Sequence, residues 1–418
     1  MANKLFRGDA PVVREVYTLV VGGTVEATDV FNTIINGKTV ALSATTTSTS
    51  TTATEIEAAL EAAGIDEFDE VDWTVASSTV TGTGPSDGTP VTISVTTTEA
   101  GGGAADAQTY VATNTVNAQG PEDWNVAANW SASGVPSADV VYIDNFEGHI
   151  KYGLDQSAID ITAMNILASM TGDIGLPDQS EAGDYYEYRP TYLVHQTCTT
   201  YNVGEGEGAG SGRLRLNASA AASTLNMWRT GPRKDPGIPS LLWKGTHATN
   251  VVNAHRGDLG IAYLPGETAV VATLRVGWVT DQLGDCQVWC GAGVTLTTVI
   301  QTGGRLVTNS AGTTMTQQAG EWIAYSGAWT TINCRNATVT WNSTGTITTL
   351  NLDSDGVFDA DQDERAFTIT NCTLKKGATI KNMKGRITFT NGIILDGCGL
   401  NDVTLELRDD ITLTVTYN

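Results

Sequence analysis

Charged residues are scarce in this sequence, and basic residues are the scarcest among them. Only 17% of the 418 residues are charged, with 23 Lys and Arg against 46 Asp and Glu. The resulting formal charge of −23 repels the phosphates of nucleic acids and the anionic surface of membranes, because both attract Lys and Arg. We therefore expect neither a nucleic acid nor a membrane as a partner.

Cysteine, histidine and long apolar runs are also scarce. Six Cys and four His are too few for a disulfide framework and do not group as a zinc site would, so we expect buried thiols and no cofactor of this kind. The sequence has no run of 18 apolar residues, so it predicts no membrane-spanning helix. The start, Met1–Arg7, lacks the apolar core of a signal peptide, which predicts folding in the cytoplasm.

Thr, Val, Ile and Gly are abundant instead, and between Val294 and Leu350 they form a loose repeat. The repeat is marked by the second Thr of successive Thr-Thr pairs, at steps of 16, 17 and 18 residues: Thr298, Thr314, Thr331 and Thr349. β-Branched segments at this period, separated by Gly-containing turns, are typical of layers that bury a continuous core only by stacking. We predict a mainly β fold with a right-handed β-helix (β-solenoid). The alternative is a β-sandwich with chance spacing.

The chain divides into three predicted regions. Residues 1–14 form an extended N-terminal arm, residues 15–118 a small α+β domain, and residues 119–418 the β-solenoid, with loop insertions around 178–240. Asn36-Gly37 between two apolar runs predicts a tight hairpin. We expect a Ser/Thr-rich loop over residues 44–54 and a helix that starts at Thr54, where Glu57 completes a capping box.

Two Trp residues open the third region. They lie in the pattern Trp124-Asn125-x-Ala-Ala-Asn-Trp130-Ser, followed by Val135-Pro136 and by Asp-Val-Val-x-Ile-Asp from Asp139. This pattern resembles the opening layer of β-helical surface proteins and phage structural proteins, over about 25 residues. Physically, two large aromatic side chains suit the open end of a solenoid, whose first layer otherwise exposes its core. Two core Trp residues of a sandwich are the alternative.

Two groups of residues are candidate sites. The first candidate has oxygen-bearing side chains at alternate positions followed by a Gly, which is the order found in calcium loops. Its ligands would be Asn351, Asp353, Asp355 and Asp359. The alternative is an acidic corner exposed to solvent. The segment departs from the calcium-loop pattern at two positions: Asn351 stands where Asp is usual, and Gln362 stands where a bidentate Glu is expected. A basic cluster is a candidate binding surface or subunit contact, and it consists of Trp228, Arg229, Arg233 and Lys234.

The sequence contains no catalytic constellation. No nucleophile elbow accompanies the four His, no carboxylate pair is singled out for glycan cleavage, and we expect no enzymatic activity. As a whole, the chain resembles bacteriophage virion proteins of the capsid decoration, cement or head-fibre type. The resemblance implies a homotrimer in the virion, assembled in the host bacterial cytoplasm, with the major capsid protein or other virion proteins as partners. The alternatives are a tailspike or receptor-binding fibre that binds or cleaves surface glycan, and a bacterial adhesin.

Overall fold

A computed structural model describes residues 2–99, 107–131, 134–175, 192–277, 286–408 and 414–418. The fold is mainly β, with 50% of the residues in strands and 6% in helices. Twenty-five strands belong to one long parallel sheet, which is compatible with the predicted β-helix. The first part of the predicted loop insertions, residues 178–191, lies outside the described residues.

The parallel sheet contains the first strand of the chain and the strands after residue 139. Its strands are β1 (Asn3–Phe6), β9 (Val140–Ile143), β10 (Asp155–Leu167), β11 (Leu193–Glu205), β12 (Leu214–Asn217), β13 (Thr224–Met227), β14 (Leu241–Lys244), β15 (Val251–Ala254), β16 (Gly257–Ile261), β17 (Ala269–Val276), β18 (Cys286–Cys290), β19 (Val294–Gln301), β20 (Arg305–Thr308), β21 (Gly312–Gln317), β22 (Glu321–Ala324), β23 (Trp329–Arg335), β24 (Thr338–Trp341), β25 (Ile347–Asp353), β26 (Val357–Asp359), β27 (Phe367–Leu374), β28 (Thr379–Asn382), β29 (Ile387–Phe389), β30 (Ile393–Leu395), β31 (Thr404–Leu407) and β32 (Val415–Tyr417).

From β11 to β27 each strand pairs in parallel with the strand two further along the chain, and β28 pairs with β31. Two successive strands therefore form one layer, and the next two lie above them at about 4.8 Å. One hydrophobic cluster contains buried residues from both strands of each layer, so the core runs between two columns of strands. Its largest members in this part of the sheet are Trp243, Trp322, Trp329 and Trp341, each at most 1% exposed.

The register of the layers confirms the spacing predicted from the Thr pairs. Thr298 lies opposite Thr314, Thr314 opposite Thr331, and Thr331 opposite Thr349. The following residues, Val299, Met315, Ile332 and Leu350, are also in register and fully buried. Each Thr repeat therefore contributes one layer to the sheet, and the residue after its second Thr is one of the apolar side chains that the layer buries in the core.

A ladder of amide side chains runs along the outer side of the first layers. Asn202 donates from Nδ2 to Asn165 Oδ1 at 2.8 Å, and Asn226 donates to Asn202 at 2.9 Å. Asn253 donates to Asn226 at 2.8 Å, and Arg275 Nη1 ends the ladder on Asn253 Oδ1 at 3.0 Å. Because identical amides one layer apart satisfy each other, the ladder helps to fix the register of the strands.

The first residues differ from the predicted arm. Residues 3–6 form β1, which pairs with β9 as the first strand of the parallel sheet, and Phe6 is 1% exposed. Phe6 packs edge-on against Trp130 and Phe146, each at 5.0 Å between ring centroids, beside Trp124 at 6.5 Å. The Trp pair and Phe6 thus fill the core at the first layer. Residues 15–118 are inserted between β1 and the rest of the sheet.

The inserted residues form two antiparallel sheets and a separate hydrophobic cluster. The elements are β2 (Val16–Gly23), β3 (Val30–Ile35), β4 (Lys38–Ser43), α1 (Thr49–Glu61), α2 (Asp66–Asp69), β5 (Asp72–Ala76), β6 (Thr79–Thr83), β7 (Ile93–Thr98) and β8 (Gln108–Val116). The sheet orders are β5-β6-β2-β8 and β4-β3-β7. The described part therefore has two sheets and two helices, where one helix was predicted.

Local signals in the insertion were partly right. The hairpin between β3 and β4 is confirmed, with positive φ at Asn36 and Gly37. The predicted start of the helix was wrong, because α1 begins at Thr49 inside the supposed loop. The hydroxyl of Ser48 accepts from the Thr51 backbone N–H at 3.3 Å and caps the helix. Thr54 Oγ1 bonds back to the Ser50 carbonyl at 3.1 Å, so the Ser/Thr tract supplies the cap and the first turns.

The region expected to hold loop insertions also contributes strands. β11, β12 and β13 lie within residues 192–240 and belong to the parallel sheet. The apolar alternation in these strands is interrupted by Gly-rich and polar segments such as residues 204–212, which conceals the layer repeat in the sequence.

Candidate functional site

A polar groove runs along the outer side of four layers. Its floor is a column of outward-facing side chains in successive strands, all half-buried and in register: Thr316, Asn333, Asn351 and Thr373. Asn351 Nδ2 donates to Asn333 Oδ1 at 2.8 Å, so the two amides form a short ladder. The neighbouring Cys334 and Leu352 point into the core, because side chains alternate along a strand.

The rim of the groove alternates in charge. It consists of the residues that follow the buried ends of these four strands and of β30: Gln318, Arg335, Asp353, Lys375 and Asp396. Arg335 lies opposite Asp353 in the register, and Lys375 Nζ lies 3.7 Å from Asp396 Oδ2. Both partners of the second pair are more than 40% exposed, so the pair contributes little to stability. The rim instead presents both signs of charge to a ligand.

The groove has a volume of about 420 Å³, which is enough for a small polar ligand. Its described lining supplies amide and hydroxyl groups from the floor and charged groups from the rim, and it contains no aromatic side chain. Hydrogen bonds along the column are the interactions that this arrangement offers.

The residues of the predicted calcium loop are distributed over different places. Asn351 and Asp353 line the groove, whereas Asp355 lies beside Gly377 of the next layer, and Asp359 Oδ1 accepts from the Asp361 backbone N–H at 2.9 Å. The sharp turn is formed by Ser354 and Asp355, which both have positive φ, and not by the following Gly as expected. Among the described residues no three His, Cys, Asp or Glu side chains converge as metal ligands would.

The basic cluster is paired with carboxylates of its own chain. Arg233 forms an ion pair with Asp258, and its guanidinium lies 4.4 Å from the centroid of the Trp289 ring. Lys234 Nζ lies 2.5 Å from Asp173 Oδ1. The charges of Arg233 and Lys234 are therefore balanced locally, and these contacts connect segments that are distant in the sequence. A subunit contact at this cluster stays a prediction.

Asp173 is the most buried carboxylate of this network, at 2% exposure. Burial alone raises the pKa of Asp173, but hydrogen bonds from His149 and Lys234, with the charge of Arg213, outweigh it and lower the pKa. Arg213 also binds Asp235 at 2.5 Å, which extends the network.

The other two residues of the cluster have different surroundings. Arg229 Nη1 donates to the Gly208 carbonyl at 2.6 Å. The Trp228 ring is 39% exposed and stacks on His255, at 4.2 Å between centroids and an interplanar angle of 3°. The residues that follow the registered strand ends in the two neighbouring layers are Gly204 and Gly277, which carry no side chain, so the stack is confined to two layers.

Comparison with protein-family models found no match, and neither did comparisons with curated proteins and with solved structures. Among the described residues no helix is long and apolar enough to cross a membrane. The proposals for this chain therefore depend on its own geometry.

Five of the six cysteines are buried, as predicted, and all six are free thiols. Burial raises the pKa of the five buried thiols to about 12: Cys198, Cys286, Cys290, Cys334 and Cys372. Only the thiolate form of Cys acts as a nucleophile or a metal ligand, and these thiols stay protonated. They therefore pack as small apolar side chains.

Arg386 and His195 are buried ionisable residues that the sequence analysis missed. Arg386 is 1% exposed and binds four backbone carbonyls, although the sequence places it at the end of a basic run from Lys375. His195 in β11 is 0% exposed and lies edge-on to Trp124 at 5.4 Å between ring centroids. The alternating pattern of β11 was the only available signal, and it does not distinguish a buried His from an exposed one.

The burial of His195 makes the stability depend on pH. Burial lowers the pKa of His195 to about 3, from 6.5 for the free side chain, so the folded protein keeps the ring neutral while the unfolded chain takes up a proton. This group therefore removes about 1.4 kcal/mol of stability per pH unit as the pH falls from about 6.5 toward 3. Between pH 7 and pH 5, the wild-type protein should lose about 2 kcal/mol more than His195→Leu in urea unfolding.

The matched control is His247→Leu, which changes a half-buried His in a surface turn and should keep the wild-type dependence on pH. An unchanged pH dependence in His195→Leu would show that this side chain is not held neutral in the core.

Proposed function

We propose that this chain is a non-enzymatic structural protein of a bacteriophage particle, of the capsid decoration or cement type. In this proposal the parallel sheet is a right-handed β-helix that serves as a stiff rod, and three copies associate in the virion. The chain binds the major capsid protein or other virion proteins and stabilises the particle by burying surface across its subunits.

The unbroken parallel sheet from β1 to β32 is the observation that carries this proposal. Each layer pairs its backbone with the next, and one core without interruption fills the interior. Such a repeat is stiff along its axis because the described strands of each layer are hydrogen-bonded to the next layer and share its core. A rigid, strongly acidic element suits a permanent, soluble part of an assembly better than a moving catalytic domain.

Mass spectrometry of density-gradient-purified phage particles, released from cells that carry this gene, tests the proposal. We expect peptides of this chain in a fixed ratio to the major capsid protein, and particles lacking the chain should rupture more readily when heated. Purified particles that contain no peptide of this chain would contradict the proposal. If tails are separated from heads and peptides of this chain occur there in a fixed ratio to a tail protein, the result would favour a receptor-binding fibre.

The polar groove favours one alternative, a receptor-binding fibre that holds a surface glycan. A column of Thr and Asn side chains along the rod offers hydrogen bonds to successive sugar hydroxyls, although the described lining contains no aromatic ring on which a sugar could stack. Titration calorimetry with purified host polysaccharide tests this function. Binding that is lost in Asn333→Leu/Asn351→Leu but kept in the matched outer variant Thr340→Leu would support the fibre. Release of reducing sugar would indicate cleavage and contradict a non-enzymatic role.

A further inference from the structure

The floor of the polar groove and the amide ladder of the first layers belong to one column of side chains. Between them the strand register is unbroken, because Asn253 lies opposite Arg275 and the next two positions lead to the groove. The residues of the column are all half-buried and face outward: Asn202, Asn226, Asn253, Arg275, Ile300, Thr316, Asn333, Asn351 and Thr373. We call these nine residues the outer column. Eight of them are polar, so a polar surface follows the axis well beyond the groove.

The rim of the groove continues along the outer column in the same way. Backbone N–H groups extend the register one residue past the strands, each donating to a carbonyl of the preceding layer at 2.8 to 2.9 Å. The donors are Trp228, His255, Gly277, Thr302 and Gln318. Since Met227 points into the core, the alternation of side chains directs Trp228 outward, on the same side as Asn226. Trp228 therefore lies on the rim that leads to Gln318 in the groove.

Trp228 supplies the aromatic ring that the groove itself lacks. One face of its indole ring is stacked on His255, and the layer on its other side has Gly204 at the same position of the rim. In the described rim no side chain covers that second face, and Trp228 is 39% exposed. His255 is only 9% exposed, so the indole rests on a buried ring. A flat indole fixed in this way offers a stacking surface at a low cost in conformational entropy.

We propose that one chain of a neutral polysaccharide lies along the outer column, stacked on Trp228 at one end and hydrogen-bonded to Asn333 and Asn351 at the other. A pyranose ring has C–H groups on its faces and hydroxyls around its edge, so its faces suit an indole and its edge suits amides. Trp228 and Asn351 are six layer steps apart, about 29 Å at 4.8 Å per layer. The ligand is therefore a chain of several sugars. This inference rests on the glycan-binding function and not on the capsid role.

The charges beside the outer column favour a ligand without charge. On the rim Arg335 lies opposite Asp353 in the register, so the two signs alternate. The guanidinium of Arg275 donates to Asn253 within the column. A polyanion finds no continuous row of cations here and is repelled by the formal charge of −23. Because a neutral ligand has no charge to screen, added salt should leave the affinity unchanged.

Titration calorimetry of the full chain tests this inference with a neutral polysaccharide extracted from the surface of bacteria that carry this gene. The polysaccharide is cut into fragments shorter and longer than the span of about 29 Å. Long fragments should bind the wild type, and Trp228→Ala should weaken them about tenfold, the effect of losing one stacking contact. Asn333→Leu/Asn351→Leu should weaken the same fragments. Short fragments reach only one end, so they should bind more weakly, and the advantage of long fragments should disappear in Trp228→Ala.

Two further variants separate stacking from other effects. Trp228→Phe keeps a stacking ring and should keep most of the affinity, whereas a defect in folding would weaken both Trp228 variants and change their circular dichroism spectra. Tyr325→Ala is the matched control, since Tyr325 is 47% exposed but follows β22, in the other column of strands, and it should bind as the wild type.

The outcomes distinguish this inference from the function on which it rests. Long fragments that bind Trp228→Ala as tightly as the wild type, but not Asn333→Leu/Asn351→Leu, would overturn the inference and leave glycan binding at the groove standing. Binding that weakens as salt is added would overturn the neutral ligand. Long fragments that do not bind the wild type would overturn the glycan-binding function, and this inference with it.

Discussion

Replacing Arg386 with Met should lower the free energy of unfolding by about 4 kcal/mol, because the side chain satisfies four buried carbonyls at once. Its Nη1 donates to the carbonyls of Trp341 at 2.6 Å and Ala360 at 2.9 Å, its Nε donates to Arg365 at 2.7 Å, and its Nη2 donates to Ser343 at 3.3 Å. These acceptors lie at the end of β24 and in the segments that follow β24 and β26, in two successive layers. Met fills the space but leaves every acceptor unpaired.

The charge of Arg386 is itself buried, and burial lowers the pKa of its guanidinium in spite of the nearby Asp363. The loss measured for Arg386→Met should therefore come from unpaired carbonyls rather than from a broken ion pair. Arg386→Lys keeps a charge but has no planar fork of donors, and it should show an intermediate loss.

Urea unfolding followed by Trp fluorescence measures this effect, since Trp341 lies beside the guanidinium. Lys384→Met is the matched control, because Lys384 is a largely exposed cation two residues away, and its replacement should change stability by at most about 0.5 kcal/mol. A loss for Arg386→Met no larger than for Lys384→Met would mean that the buried carbonyls are satisfied without this side chain.

Phe6→Ala should cost about 3 to 5 kcal/mol, the usual range for removing a fully buried aromatic ring. The ring is 1% exposed and fills the first layer of the parallel sheet with Trp124 and Trp130. Because β1 pairs with β9 at the start of the parallel sheet, loss of the ring should also loosen the amides of residues 140–143. Hydrogen exchange read by mass spectrometry should show faster exchange there than in the wild type.

Arg7→Ala is the control for Phe6→Ala, because Arg7 is the exposed neighbour of Phe6 and its replacement leaves the core intact. Equal exchange of residues 140–143 in the wild type and Phe6→Ala would place the first residues outside the sheet, as in the extended arm predicted from the sequence.

The layer repeat could be predicted from the sequence where each layer uses nearly the same number of residues and no long segment separates one layer from the next. From Thr298 to Thr349 the steps of 16 to 18 residues leave only short turns, so the Thr pairs mark the register directly. Between β10 and β17 the layers are separated by longer and irregular segments, and no local repeat survives in the sequence. The Asn ladder of Asn165, Asn202, Asn226 and Asn253 is equally hidden, because its steps are 37, 24 and 27 residues.

The remaining differences come from contacts between distant residues. Leu5 and Phe6 look like part of an arm because their strand has four residues and its partner begins at Val140. Asp355 looks like a calcium ligand because its neighbours in sequence are polar, although the turn directs it toward Gly377. Arg386 looks like an exposed residue of a basic run. In each case burial depends on which layer lies above, and neither composition nor local spacing determines that.

The spacing of the layers tests the β-helix most directly. Thr224, Thr273, Thr298 and Thr349 lie in one column, in which successive strands are in register, so nitroxide labels on Cys at these positions report distances along the axis. With Cys398→Ser as the background, electron-spin distances to position 349 should rise from about 14 Å for position 298 to about 19 Å for 273 and about 29 Å for 224, at about 4.8 Å per layer. Distances that do not increase with the number of layers, as in two face-packed sheets, would contradict a β-helix.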